Sequence, residues 1–280
     1  MQRTIMVTGA TSGIGKETAR ELAIRGAQVA VVGRNESKAE ATVTAIREVT
    51  GNDKVDYLLA DFASLEDVRR LAGQFKQRYG RLDVLVNNAG AMFFRRQESV
   101  DGYEMTFAVN HLAPFLLTNL LLETMQTSAP ARIVTVASDA HDGATMEFDN
   151  LQFEKDYSGM KAYGRSKLAN ILFSYELARR LEGSTVTSNA MHPGFVSTGM
   201  GSNNLPRWLA GVLPRVTRPF ARDVARGAET VVYLVDSSQV ETVSGLYFMD
   251  KQPIKSSPIP YDEALARQLW QISAEMVDLS

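Results

Sequence analysis

Tyr163 and Lys167 stand four residues apart in a stretch, Gly159 to Leu181, whose apolar positions recur at helical spacing, so both side chains share one helix face. A free phenol holds its proton to about pH 10 and is a slow base near neutrality. A cation beside it favours the phenolate, which moves the group towards the range where acid–base work is efficient. The same pair on a solvated helix face would do no chemistry. A second pattern lies near the N-terminus, where Thr8-Gly9-Ala10-Thr11-Ser12-Gly13-Ile14-Gly15 follows a strand-like run and opens a helical one. Gly9 permits a tight turn, Gly13 lets the backbone approach a pyrophosphate, and Gly15 lets the helix sit close to the strand. A phosphate there meets unpaired amides at the positive end of a helix dipole. The placement predicts a dinucleotide site built on Gly9, Thr11, Ser12, Gly13, Ile14 and Gly15; a ligand-free glycine-rich turn is the competing account. No Gly-Lys-Ser/Thr closes the loop, which excludes the nucleotide-triphosphatase type.

The second strand-like run ends in Val32-Gly33-Arg34. An acid at this place would chelate the adenosine ribose diol and repel a 2′-phosphate. Gly33 supplies none and Arg34 offers a guanidinium, so NADP(H) is expected over NAD(H), against the alternative that Arg34 is a solvated surface residue.

These residues need elements to hold them. Strands are predicted at Thr4–Val7, Gln28–Val32, Lys54–Leu59, Leu82–Val86, Arg132–Val136, Val186–Met191 and Gly245–Phe248. Between them helices are predicted at Ile14–Ile24, Glu36–Val49, Leu65–Arg78, Gly102–Met125, Gly159–Leu181, Asp223–Val235 and Asp262–Met276. The alternation implies right-handed crossovers and an α/β fold, a doubly wound parallel sheet of about seven strands with helices on both faces. Ser64 with Asp67 resembles a capping pair, and Gly26, Gly80 and Gly183 follow helical runs as left-handed terminators. Ser138 falls just past the fifth strand, where open α/β sheets bind ligands. No linker splits the chain, so residues 1–280 are expected to form a single domain. Two connections are long: Asp139 to Tyr157, and Ser197 to Phe220.

Composition narrows the function classes. Thirty basic against 32 acidic residues leave a net charge of −2, no surplus for gripping nucleic acid or anionic lipid. The absence of cysteine excludes disulfides, thiolate catalysis, zinc–cysteine sites and iron–sulfur clusters. His111, His141 and His192 lack metal-ligand spacing, so structural roles are expected and no metal. No Gly-x-Ser-x-Gly elbow surrounds Ser138, which argues against a hydrolase triad. The longest apolar-rich stretch, Phe107 to Leu122, is broken by Asn110, His111, Pro114 and Thr118, so no integral membrane segment is expected. The first residues do not resemble a secretory signal, and a soluble, cytoplasmic protein is the expectation.

Taken together, the motifs resemble the short-chain dehydrogenase/reductase family from about Thr4 to Phe248. The loop Thr8–Gly15 has that family's Thr-Gly-x-x-x-Gly-x-Gly spacing. Asp61-Phe62 resembles its adenine-contacting pair, and Asn87-Asn88-Ala89-Gly90 its cofactor-lining motif. Asn110, Ser138, Tyr163 and Lys167 stand at the places of its catalytic tetrad, and Pro193-Gly194 with Thr198 resembles its nicotinamide-end loop. The stretches Asn110–Thr118, Ser166–Phe173 and Leu269–Ser273 are similar to the retinol dehydrogenase-like branch. Many animal members carry an N-terminal membrane anchor, which is not expected here, and the cysteines of the related protochlorophyllide reductases are absent from the sequence.

The resemblance implies a single-domain Rossmann fold and hydride transfer between NADP(H) and a small-molecule alcohol or carbonyl, with Tyr163 as general acid/base. It further implies that Lys167 bonds the nicotinamide ribose, Ser138 the substrate oxygen, and Asn110 a water leading to Lys167. Asn88, Ala89, Gly90, Asp61 and Phe62 are expected to line the cofactor. A catalytically silent NADP(H)-binding regulatory protein of the same fold is the alternative, and a homo-oligomer is open. Phe93, Phe94, Trp208 and Phe220 are expected either to line an apolar substrate pocket or to be core. Prolines 206, 214 and 219 oppose one continuous helix, and the leucines around them are too apolar for a solvated loop. Residues 197–220 are therefore expected to form a lid over cofactor and substrate, against an oligomer or membrane contact surface.

Overall fold

The computed structural model describes residues 2–194, 196 and 223–279. Among these residues eight strands form one sheet: β1 Thr4–Thr8, β2 Gln28–Gly33, β3 Val55–Leu59, β4 Val84–Asn87, β5 Ala131–Val136, β6 Val186–Met191, β7 Tyr247–Met249 and β8 Gln252–Ile254. Their order is β3-β2-β1-β4-β5-β6-β7-β8, parallel throughout except for the β7–β8 hairpin. The long helices that flank it, among the described residues, are α1 Gly13–Ile24, α2 Glu36–Thr50, α3 Leu65–Tyr79, α4 Met105–Ser128, α5 Gly159–Arg180, α6 Val224–Asp236 and α7 Glu263–Met276.

The β-branched runs become strands because both faces of the sheet are covered, and successive side chains serve opposite cores. In β1, Met6 packs with α3, α4, α5 and α7, while Ile5 and Val7 face α1, α2 and α6. Val29 and Val31 against Ala30 and Val32 repeat the alternation in β2. Each buried valine, isoleucine or methionine among them contributes roughly 1.5–3 kcal/mol. The single α/β domain of Rossmann type read from the sequence is the one observed.

The expected terminators are in place: Gly26, Gly80 and Gly183 have φ of 79°, 65° and 79°. Ser64 Oγ accepts from Asp67 N at 3.2 Å, but the reciprocal half of the capping pair is absent. The Asp67 carboxylate instead accepts from Asp61 N at 3.0 Å, tying the end of β3 to α3. Three differences from the predicted elements stand out. β8 is an extra strand: Asp250 and Lys251 turn the chain with φ of 48° and 64°, and Pro253 pairs at the sheet edge, where its missing donor costs little. The helix predicted from Gly102 begins at Met105, where Glu104 caps it by accepting from Thr106 N and Phe107 N at 2.9 and 2.8 Å. Within it, Ala108–Leu112 is π-helical.

α4 is also, among the described residues, the helix long and apolar enough to cross a membrane by length and composition, and 72% of that window is buried inside the fold. The sheet order reverses between β1 and β4, so the crevice beyond their carboxyl ends is the ligand position this topology creates.

Candidate active site

The glycine loop and the end of β4 close that crevice from below. Gly9 has φ +63°, and a Cβ there would stand 2.8 Å from the Ala89 Cα. A Cβ on Gly15 would stand 2.4 Å from Asn88 Nδ2 and 2.5 Å from the Gly9 carbonyl oxygen, so α1 lies directly on the loop. Thr8 Oγ1 accepts from Asn88 N and Ala89 N, each at 3.0 Å, and Asn88 Nδ2 donates to the Thr8 carbonyl at 2.7 Å. These bonds fix Asn88-Ala89-Gly90 against Gly9. Gly33 is equally constrained, since its Cβ would meet Thr11 Cγ2 at 2.4 Å. The helices α2, α3 and α7 have N-cap side chains that bond their first turns; α1, like α5 and α6, has neither such a bond nor an acid in its first turn, and it follows directly on the glycine loop. Its amides are left for an anion, so the loop fits the pyrophosphate of a dinucleotide.

Above the crevice, α4, α5 and the end of β5 bring the tetrad positions together. Asn110 lies in the π-helical turn and is fully buried. Its amide clamps Ala91, accepting from Ala91 N at 2.7 Å and donating to the Ala91 carbonyl at 2.9 Å, and it donates to Ser166 Oγ at 2.9 Å. Ser166 Oγ in turn donates to the Tyr163 carbonyl at 2.7 Å. Pro114 has no N–H to give the Asn110 carbonyl four residues earlier, so the helix withholds its usual partner from that oxygen. A Cβ on Gly90 would be 3.4 Å from both Asn110 Oδ1 and Lys167 Nζ, which places the expected cofactor-lining motif against the expected tetrad. Ser138 caps the short turn Asp139–His141, accepting from Ala140 N at 3.2 Å, and its hydroxyl donates to Asp139 Oδ1 at 2.9 Å.

The electrostatics depart from the sequence expectation. Lys167 is 1% exposed, its Nζ donates to the Val136 carbonyl at 2.9 Å, and burial lowers its pKa to about 8. That ammonium stands 5.6 Å from the centre of the Tyr163 ring. The Tyr163 phenol, partly exposed at the crevice, is raised to about 12 rather than lowered: burial dominates, the Ser138 hydroxyl pulls it down, and the Asp139 carboxylate pushes it up. The physical reason is that Lys167 turns to a backbone carbonyl at the end of β5 and gives up its proton well before the phenol does.

Residues 3–207 match the sequence profile of the short chain dehydrogenases. Retinol dehydrogenase 14 of Homo sapiens is 42% identical over 99% of this chain and 87% of its own length. The chain belongs to the short-chain dehydrogenase/reductase family, in its retinol dehydrogenase-like branch. A solved structure from Mycobacterium paratuberculosis, described as an uncharacterized protein, aligns over 99% of this chain and 94% of its own, with 32% identity and a TM-score of 0.79. A single-substitution variant of the actinorhodin polyketide ketoreductase, solved with NADPH, aligns over 88% and 95%, with 26% identity and a TM-score of 0.68.

Short-chain dehydrogenases bind a nicotinamide cofactor, and the remaining expected contacts sort by where their side chains go. Arg34 is exposed and forms no ion pair with the described residues, and Asn35 beside it caps α2 by accepting from Lys38 N at 2.9 Å. Asp61 Oδ1 accepts from Ala63 N at 3.0 Å. Phe62 is 7% exposed within the core beneath α3, so its ring offers no open face and only its backbone is placed for contact. Gly194, with φ 74°, donates from its N to His192 Nδ1 at 3.3 Å and turns the chain after Pro193. Phe93 is buried and Phe94 is 41% exposed. Thr198, Trp208, Phe220 and the whole expected lid at 197–220 lie outside the described residues.

His111 joins α4 to α7 through Nε2 and Ser273 Oγ at 2.8 Å, and full burial lowers its pKa to about 3. Among the described residues no group of acids and histidines could hold a metal ion. Two residues that matter to the site were not singled out. Pro114, four after Asn110, is a visible signal for the withheld helix bond. Arg165 is buried inside the Tyr-x-x-x-Lys run; it stacks 3.8 Å over the Phe153 ring and donates to the carbonyls of Thr145 and Asn150 at 3.1 and 2.6 Å. It thereby pins the long 139–157 connection beside Tyr163.

Proposed function

We propose that this protein is an NADP(H)-dependent oxidoreductase acting on an alcohol or carbonyl of an apolar small molecule, with Tyr163 as general acid/base. The observation that carries this is the meeting of Ser138, Tyr163 and Lys167 at the end of β5 with Gly90 and the glycine loop, at the reversal of strand order. The relatives' name supports an apolar alcohol or aldehyde of the retinol kind. A bound nicotinamide supplies or takes the hydride. The protein's own residues do the rest. Gly9, Thr11, Ser12, Gly13, Ile14 and Gly15 bind the pyrophosphate, and Asp61, the Phe62 backbone, Asn88, Ala89 and Gly90 line the cofactor. Pro193, Gly194 and Thr198 hold its nicotinamide end, and Lys167 holds the ribose beside it. Ser138 orients the substrate oxygen, and Tyr163 gives or takes the proton at that oxygen. Asn110 keeps the 89–91 loop in place and offers its carbonyl to a water leading towards Lys167.

The test is a panel of ketones, aldehydes and alcohols, all-trans-retinal included, followed by the absorbance of reduced nicotinamide. Tight NADPH binding with no turnover across the panel would favour the silent binding protein instead.

Cofactor choice rests on Arg34 at a site without an acid. Calorimetry should show NADPH binding at least about tenfold tighter than NADH, and Arg34→Ala should remove most of the difference, roughly 1.5–3 kcal/mol for a charge-assisted phosphate contact. Equal wild-type affinities for the two cofactors would defeat this assignment.

A further inference from the structure

We propose that His141 is a positioning residue for Ser138, locking the active-site turn to the C-terminal segment through a fixed imidazole tautomer; this rests on the redox role proposed above. Its ring is 4% exposed. Nδ1 lies 2.6 Å from the Ser138 carbonyl oxygen, and Nε2 lies 3.1 Å from the Ser257 backbone N. A backbone N–H can only donate, so Nε2 is the acceptor. The proton therefore sits on Nδ1 and is donated to the Ser138 carbonyl. Each ring nitrogen meets a backbone group of fixed polarity, which leaves one tautomer that satisfies both.

The turn so held is short and tightly bounded. His141 N also donates to the Ser138 carbonyl, at 3.3 Å, so this one oxygen receives both the backbone and the ring of the same residue. On its other side the turn meets α5: a Cβ on Gly164, next to Tyr163, would stand 2.6 Å from the Ala140 carbonyl. The imidazole and the Tyr247 ring of β7 meet edge to face, with centroids 5.2 Å apart, and Tyr247 also stacks with His192, at 5.5 Å, just before Pro193-Gly194. The turn that carries Ser138 is therefore pressed between the helix of Tyr163 and a wall made of β7 and Ser257. His141 is the part that bonds to both the turn and the C-terminal segment. Losing the ring donor leaves the Ser138 carbonyl with only the longer 3.3 Å bond from His141 N and lets the hydroxyl drift relative to the phenol. Losing its acceptor only unpairs Ser257.

The two functions separate by substitution. Asparagine ends near the place of Nδ1 and keeps the donor to Ser138; glutamine reaches the place of Nε2 and keeps the acceptor for Ser257. His141→Asn should keep kcat within about threefold of wild type, while His141→Gln should lower it by about tenfold or more, since small misplacements of a reacting group carry penalties of this size. KM and the NADPH dissociation constant should stay within about twofold in both, and both should lose similar amounts of thermal stability. A purely structural role would instead lower melting temperature and kcat together, by the same amount in the two variants, and that result overturns the proposal. Two readouts are independent of turnover. The imidazole 15N spectrum of the wild-type protein should show His141 protonated at Nδ1 and bare at Nε2; an Nε2-protonated ring overturns the proposal. The Tyr163 13Cζ resonance and the Ser138 amide should move in His141→Gln and stay in place in His141→Asn; the reverse pattern overturns it. If the wild type turns over no substrate, the redox reading falls, and these resonances still decide the role of His141. Should His141→Gln fail to fold, the tautomer and the kinetics of His141→Asn decide it alone.

Discussion

Replacing Tyr163 with phenylalanine should abolish turnover, by roughly 10²- to 10⁴-fold, while leaving NADPH affinity within about twofold. Phenylalanine keeps the ring and its packing and removes only the hydroxyl. The Ser138 hydroxyl, which donates to Asp139 Oδ1 at 2.9 Å, retains a partner after the change, so the turn should hold. The pH dependence has a defined direction. Burial, with the Asp139 carboxylate adding to it, raises the Tyr163 phenol to about 12, against the downward pull of Ser138. Across neutral pH the cofactor-free protein therefore presents the protonated phenol, the form that donates to a developing alkoxide. Carbonyl reduction should be flat in pH near neutrality, whereas alcohol oxidation, which needs the phenolate, should climb with pH. Steady-state rates followed by nicotinamide absorbance check both. A Tyr163→Phe protein retaining a tenth of wild-type activity would remove Tyr163 from the acid/base role.

The elements were legible wherever both faces of a strand are buried and the run is β-branched, as in Gln28–Gly33, because the pattern has no other low-energy use. β8 was not, because Gln252-Pro253-Ile254 is short, wholly exposed and carries a proline; only its pairing with β7 makes it a strand. The π-helical turn at Asn110 was hidden as well. One extra residue in a turn leaves the apolar spacing of Phe107, Leu112, Leu116 and Leu117 readable as an ordinary helix, and Pro114 is the local mark of it.

For the site, spacing placed Tyr163 and Lys167 on one face but said nothing of where the ammonium points. Its choice of the Val136 carbonyl is a tertiary fact, set by the depth at which α5 packs on β5. The phenol's upward shift follows from that depth and from Asp139, neither of which a helix wheel contains. His141 illustrates the same limit. Its partners Ser138 and Ser257 are separated by more than a hundred residues, so nothing local distinguishes its ring from any other buried histidine.

Lys167→Met should make the cofactor-free protein more stable at pH 7 and at the same time remove turnover and weaken NADPH binding. Lys167 is 1% exposed, and the hydrogen bond it makes among the described residues is to the Val136 carbonyl at 2.9 Å. Burial lowers its pKa from 10.5 to about 8, so the fold disfavours the charged form. Holding the ammonium there at pH 7 costs roughly 3 kcal/mol by the size of that shift. Methionine is one heavy atom shorter, fills most of the same space and carries no charge; leaving the Val136 carbonyl unpaired returns about 1 kcal/mol of the gain. The sign with pH follows from proton binding. Below pH 8 both folded and unfolded wild type carry the proton and the full cost is present. Between 8 and 10.5 the unfolded chain holds a proton that the folded chain has released, so wild-type stability rises with pH. The advantage of Lys167→Met should therefore be greatest at neutral pH, shrink through that window and turn above it into a deficit of about 1 kcal/mol, the lost Val136 bond. Denaturant unfolding of both proteins at a series of pH values measures this directly. A variant less stable than wild type at pH 7, or an advantage unchanged from pH 7 to 10, would mean that the lysine is kept by contacts rather than tolerated for its chemistry. The expected result is the opposite: a charge that the fold holds at a cost, because the reaction at Tyr163 requires it.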